Sequence, residues 1–328
     1  MTIAELLHSL GGIAQKQQLV ARGARDIDLT RAVRSGEVIR ARQGWYTTLP
    51  AQDDRVRAVR VGGRLTGLSA IASWGGWVLS NDTLHVSLPR NSARLRAPNN
   101  RFRRFRPGPA THLHWDDHTL SDRGTAWAVG LGDALFRVIL DEPFEDAVAA
   151  LDWALHSGVL DEFDFEALVL ALPEPLRVVR DWVDPACESL PESLARTRFR
   201  LAGHHVESQV ALDTGEFIDL VVDGAVGVEV DGYKYHADSF ERDRAKDVTI
   251  TIATFHGLRP SANAVFHDWA RLHLAVCVAL SERGLPLPSE IQESRDSRRR
   301  RIPRLRDRHR KRGTEVLNIR ERGGNSGA

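Results

Sequence analysis

The sequence predicts a multidomain chain of mixed α+β and α/β class. Three observations carry that expectation. A chain of 328 residues with 42% apolar content can bury more than one core. The first fifty or so residues read as short helices followed by a hairpin, and residues 192 to 281 as helix, three strands, helix, strand and helix. Between them, the spacing from Ala126 to about Trp182 is helical throughout. The expected divisions are 1–80, 81–182 and 183–285, followed by a basic tail over 286–328.

Bulk properties narrow the class further. Cys187 and Cys277 show no pairing pattern and no C-x-x-C, which argues for a reducing compartment and against a thiolate metal site. The opening MTIAELLHSLGG lacks a basic segment and a long apolar run, and no stretch approaches about 18 apolar residues, so a cytoplasmic chain without membrane spans is expected. The net charge of +1 hides an uneven distribution. From Arg295 to Arg322, Arg and Lys far outnumber Asp296, Asp307, Glu315 and Glu321. Such a tail suits polyphosphate binding through counterion release, and a solvated terminus explains it equally.

Taken in order, residues 3 to 10, about 14 to 22 and about 26 to 34 are spaced for three short helices, broken at Gly11-Gly12 and Gly23. In VIRARQGWYTTLP, Val38, Ile39, Trp45 and Tyr46 flank a basic turn. Three helices and a hairpin make a winged helix. Its third helix, with Arg25 before it and Arg31 and Arg34 on it, would enter a DNA major groove. Arg40 and Arg42 of the wing would reach the backbone or minor groove. A module used only for protein contact remains the alternative.

The run GGIAQKQQLVARGARDIDLTRAVRSGEVIRARQGWYTTLP, followed by LTGLSAIASWGGW, resembles the N-terminal domain of AbiEi-type antitoxins of type IV toxin-antitoxin systems. The resemblance covers roughly the first 80 residues and implies a winged helix; such domains serve many functions.

Residues 84 to 106 open as a strand, LHVSLP. Arginines 94, 96, 101, 103, 104 and 106 then interleave with Leu95, Phe102 and Phe105. A strand edge near a phosphate backbone and an edge protected by charge both fit this pattern. The helical connector follows, with expected breaks at Asp141-Glu142-Pro143 and His156-Ser157-Gly158.

Chemistry concentrates between Glu192 and Arg259. A helix (PESLARTRFRLAG) precedes strands HVESQVAL, FIDLVV and VGVEVDG, a helix from about Asp238 to Ile250, the strand ATFHGLR and a helix from about Ala262 to Ser281. This is the element order of a PD-(D/E)XK restriction-endonuclease-like core. Alternation puts Val226, Val228 and Val230 on one face and Gly227, Glu229 and Asp231 on the other. Whether Asp219 joins the acids depends on the turn at Asp223-Gly224. A two-residue turn sets Asp219 opposite Val228, on the wrong face; an odd-numbered loop sets it opposite Glu229.

Carboxylates gathered in this way repel unless a hard cation joins them, which points to Mg²⁺ or Mn²⁺ held by Asp219 and Glu229, with Asp231 as a third ligand or a holder of water. His236 is the natural general base or acid, and Glu192 would complete the outer shell. Taken singly, each is better explained as an exposed acid or a solvated histidine; only the set on one hairpin points to chemistry.

The segments ESLPESLARTRF, Gln209, FIDLVV, VGVEVDGYKYH, FERDRAKD and FHGLR are similar to a domain of unknown function related to very-short-patch repair endonucleases. That resemblance covers about 90 residues. It implies a site at Glu192, Asp219, Glu229, Asp231 with Gly232, and His236, with Arg244 and Asp247 on the next helix. Asp231 stands where the PD-(D/E)XK motif has lysine, as is usual in this subfamily. The expected activity is a metal-dependent endodeoxyribonuclease with DNA as partner. The alternative is a regulator or antitoxin with a non-cleaving nuclease-like domain, and a toxin or repair factor is a further expected partner.

Overall fold

A computed structural model of the chain describes residues 1–115, 124–231 and 255–287. The expected helix over 238 to 250, His236, Gly232, Arg244, Asp247 and the basic tail lie outside the described residues. The architecture is mixed α+β, with four small sheets among the described residues.

The N-terminal part runs α1 (Ile3–Ser9), β1 (Ile13–Gln15), α2 (Lys16–Val20), α3 (Asp26–Arg34), β2 (Ile39–Arg42) and β3 (Trp45–Thr47). Thr2 and Glu5 form a capping box on α1, each side chain accepting from the other's backbone N–H. The three strands pair in the order β1-β3-β2. Leu7, Leu19, Leu29, Ala32 and Tyr46 share one core, and each large apolar side chain buried there contributes about 1.5–3 kcal/mol. The three expected helices and the hairpin are all present. Strand β1 falls where helix was expected, because Ile13 and Ala14 pair with Thr47 and Tyr46 before Gln15 starts α2.

The middle part contains α4 (Asp54–Val61), β4 (Arg64–Leu65), α5 (Gly67–Ser73), β5 (Leu84–Leu88), β6 (Arg96–Ala97), β7 (Asn100–Arg104), β8 (Thr111–Trp115), α6 (Leu131–Asp141), α7 (Phe144–His156), α8 (Glu162–Ala171) and a 3₁₀ segment, Glu174–Trp182. Helices α6 and α7 stop at the two expected breaks. The core here joins Val61, Leu65 and Ile71 to Leu84, Val86, Leu135, Leu151 and Leu168. It therefore runs unbroken across position 80, where a boundary was expected. Strands β4, β5 and β8 form one sheet, with β5 and β8 parallel. His85 on β5 and His114 on β8 are buried, and burial first, then neighbouring charge, pushes them down to about 4 and about 3. Both rings are neutral at pH 7.

The C-terminal part comprises α9 (Leu190–Leu201), β9 (Val206–Ala211), β10 (Phe217–Val222), β11 (Val226–Val228), β12 (His256–Leu258), α10 (Ala262–His267) and α11 (Trp269–Glu282). Ser189 caps α9. The sheet order is β12-β11-β10-β9, antiparallel except for the β11–β12 pair. The single helix expected over 262 to 281 divides at Asp268, whose φ of −129° leaves the helical range.

A buried ion pair joins the middle and C-terminal parts. The Asp152 carboxylate on α7 accepts from Arg196 Nη2 (2.9 Å), Ser193 Oγ (2.6 Å) and the Asp184 N–H (2.7 Å). Burial lifts the Asp152 carboxyl to about 6 even against Arg196, so the carboxylate form predominates at neutral pH. Beside it, Arg198 meets Glu145 through two bonds of 2.7 Å.

Both cysteines are buried thiols. Burial is the main cause that pushes the Cys187 thiol up to about 12. Iodoacetamide at mildly alkaline pH is therefore expected to label Cys187 only after unfolding, as peptide mass mapping would show. No helix among the described residues is long and apolar enough to cross a membrane.

Candidate active site

The β10–β11 register decides whether the hairpin acids can meet. Leu220 pairs with Val228, Val221 with Gly227 and Val222 with Val226, leaving Asp223-Gly224-Ala225 as a three-residue loop. Carried one step further, the register sets Asp219 opposite Glu229, on the face away from Val226, Val228 and Val230. Those three valines lie in the core beside α9 and α11. Asp223 holds the turn: its φ is +49°, and its carboxylate accepts from the His205 N–H (2.8 Å) and lies 2.6 Å from His204 Nδ1.

The two carboxylates interlock through the backbone. The Asp219 N–H donates to Glu229 Oε1 (3.1 Å), and the Val230 N–H donates to Asp219 Oδ2 (2.8 Å). Glu229 is buried, whereas Asp219 is half-buried. Each carboxylate thus accepts a main-chain N–H from the facing strand, which places the two acids side by side.

The remaining expected residues are placed differently. Asp231 is exposed beyond the end of β11, its backbone bridged to Ser261, with its N–H donating to the Pro260 carbonyl (3.0 Å). Among the described residues, no three of Glu192, Asp219, Glu229 and Asp231 bring oxygens within 4.8 Å of one another. Asp231 as a third ligand is thus not assembled with the other two. Glu192 is buried at the start of α9 and accepts from the Glu188 N–H (2.9 Å), Ser189 Oγ (2.6 Å) and Gln209 Nε2 (3.4 Å). Its carboxylate organises the helix start and reaches the sheet through Gln209.

Gln209 is a site residue to which sequence reasoning gave no role. It lies on β9 at the position the register sets beside Asp219, and its φ of +50° is left-handed in mid-strand. Backbone in that region costs a residue other than glycine roughly 1–3 kcal/mol and clusters at functional sites. Nothing in the residue type announces it.

The basic face lies at the other end of the chain. Arg31, Arg34 and Arg40 are exposed; Arg25 is exposed and donates to Asp28 at 2.8 and 3.2 Å. Arg42, expected among the wing arginines, turns inward, and its Nη1 donates to the carbonyls of Arg60 (3.0 Å) and Val61 (2.8 Å) at the end of α4. It serves as a helix C-cap, and burial lowers its pKa first, with Arg96 nearby adding to the effect. The β6–β7 ribbon carries exposed Arg103 and Arg104, and Arg101 packs its guanidinium over exposed Phe102 at 4.7 Å. Arg101 also donates to the Arg40 carbonyl, tying the ribbon to β2.

No protein-family model and no curated protein matches the chain.

If α3 faces duplex DNA, Arg31→Ala and Arg34→Ala are each expected to reduce the salt dependence of that binding by about one unit of log–log slope. Arg42→Ala should leave that slope unchanged and lower the melting temperature. Fluorescence anisotropy across a salt series reads the first effect, and unchanged slopes would remove α3 from the interface.

Proposed function

We propose that the chain binds DNA and hydrolyses its phosphodiester bonds at the β10–β11 hairpin with Mg²⁺ or Mn²⁺. The observation that carries this reading is the three-residue turn, which sets Asp219 and Glu229 on one face instead of opposite faces. The donor set is two hard carboxylates, which fits such a cation. Asp219 and Glu229 would hold it, and water and substrate oxygens would supply the remaining positions. A bound Mg²⁺ supplies Lewis-acid polarisation of a phosphoryl oxygen and activation of water.

The chain's own residues do the rest. Gln209 and the buried, fully engaged Glu192 fix the floor beneath Asp219, and the β11–β12 pairing fixes the end of β11. In this reading α1 to α3 and the three-stranded sheet act as a winged helix, with Arg25, Arg31 and Arg34 along the major groove. Arg40 and the Arg101–Phe102 ribbon would flank the backbone, with the aromatic face open to a base.

A plasmid-nicking assay tests the proposal: cleavage by the full chain should require Mg²⁺ or Mn²⁺ and stop on chelation. Metal-independent cutting, or cutting that survives loss of Asp219 and Glu229, would remove the assigned site.

One observation favours a second reading. Among the described residues, Asp219, Glu229 and Asp231 do not assemble three carboxylate oxygens within 4.8 Å of one another. A non-cleaving DNA-binding regulator of the antitoxin kind accommodates that, and it predicts duplex retardation without nicking.

A further inference from the structure

Away from the hairpin, three imidazoles converge on one face of the β5–β8 pair. The parallel register sets His85 beside His112 and Ser87 beside His114. Side chains alternate along a strand, so His112 and His114 share a face, and His85 joins them there. His85 and His114 are 6% and 5% exposed, whereas His112 is open to solvent. One nitrogen from each ring lies within 4.8 Å of the other two.

Carboxylates orient the two buried rings from behind. His114 Nδ1 lies 3.2 Å from Asp141 Oδ2, and His85 Nε2 lies 3.5 Å from Glu142 Oε1, both acids coming from the end of α6. The inner nitrogens, His114 Nε2 and His85 Nδ1, then face each other at 3.2 Å. With Zn–N bonds of about 2.0–2.1 Å, two nitrogens on a tetrahedral ion stand roughly 3.3 Å apart. When the outer nitrogens donate to the two carboxylates, both inner nitrogens carry lone pairs. That tautomer pair is suited to a cation, whereas the alternative tautomer closes a hydrogen bond between the two rings. Carboxylate, histidine and metal in line is the usual support of an imidazole site. Arg137, 3.4 Å from Asp141, balances the second acid.

We propose that His85, His112 and His114 hold one divalent ion of the zinc class, oriented by Asp141 and Glu142. Neutral imidazoles select Zn²⁺, Co²⁺ or Ni²⁺ over the hard cations suited to the hairpin acids. The fourth position opens to water on the side of exposed His112. In a second group, His204, His273 and Cys277, a carboxylate, Asp223, backs His204, and each member is buried or half-buried. It serves as the internal control.

The test is a Co²⁺ titration of the chelator-stripped full chain in excess Mg²⁺, followed by Zn²⁺ competition. One Co²⁺ per chain should bind, with the visible absorption of a four-coordinate ion and no thiolate charge-transfer band. His112→Ala changes an exposed side chain and keeps the fold, which circular dichroism checks. It should weaken Co²⁺ affinity at least tenfold, and Asp141→Asn should weaken it roughly 10- to 100-fold. His273→Ala should leave the titration unchanged. Absence of binding, an unchanged His112→Ala titration, a thiolate band or loss of binding in His273→Ala would each overturn the proposal.

Discussion

Asp219→Asn and Glu229→Gln are each expected to lower metal-dependent nicking by roughly 10³-fold, with duplex affinity and fold intact. The amide replacements separate charge from structure. Asn at 219 keeps an oxygen to accept from the Val230 N–H, and Gln at 229 keeps one to accept from the Asp219 N–H. What disappears is half of the negative charge available to hold a cation. Loss of several kcal/mol of transition-state stabilisation, about 4, corresponds to that factor in rate. Because each amide keeps its backbone bond, thermal stability should stay close to that of the wild type. Nicking time courses at several Mg²⁺ concentrations, run beside thermal melts, measure both effects. Wild-type rates in both variants would mean that the hairpin does not cleave.

The second large effect concerns stability. Asp152→Ala should cost about 3–5 kcal/mol, because it strands the Arg196 guanidinium, 2% exposed, without its counter-charge. Ser193 Oγ and the Asp184 N–H lose an acceptor in the same step. The site is already short of partners, since among the described residues Arg196 Nε has no acceptor. Against a typical domain stability of about 5–15 kcal/mol the loss is severe. Asp152→Leu combined with Arg196→Met removes both charges together and should recover most of it. Urea unfolding of the three variants tests this. An Asp152→Ala midpoint equal to wild type would show that the pair contributes nothing at the α7–α9 contact.

Local patterns were legible where they carried their own period. Helix α3 spans Asp26–Arg34 as its spacing indicates, and Val226, Val228 and Val230 fill the core as alternation requires. The turn length on which the acid pair depends was left open by the sequence. Gly224 is compatible with two- and three-residue turns alike, and the Asp223 bonds to His204 and His205 that hold the longer one come from 18 and 19 residues upstream. Non-local features were hidden for the same reason. Strand β1 is three residues long and exists because β3 pairs with it. The destination of Arg42, the end of α4, cannot be read from the wing. His85 meets His112 only through a parallel pairing across the intervening ribbon, so no spacing motif announces the cluster. The left-handed backbone at Gln209 has no signature in its residue type.

The tether between Arg101 and β2 is anchored on a main-chain oxygen, not on the side chain at position 40. Every amino acid supplies that oxygen, so residue 40 is free to vary over evolutionary time without unfastening the ribbon. Substitution at position 40 thus changes the surface chemistry of this corner while the mounting stays in place.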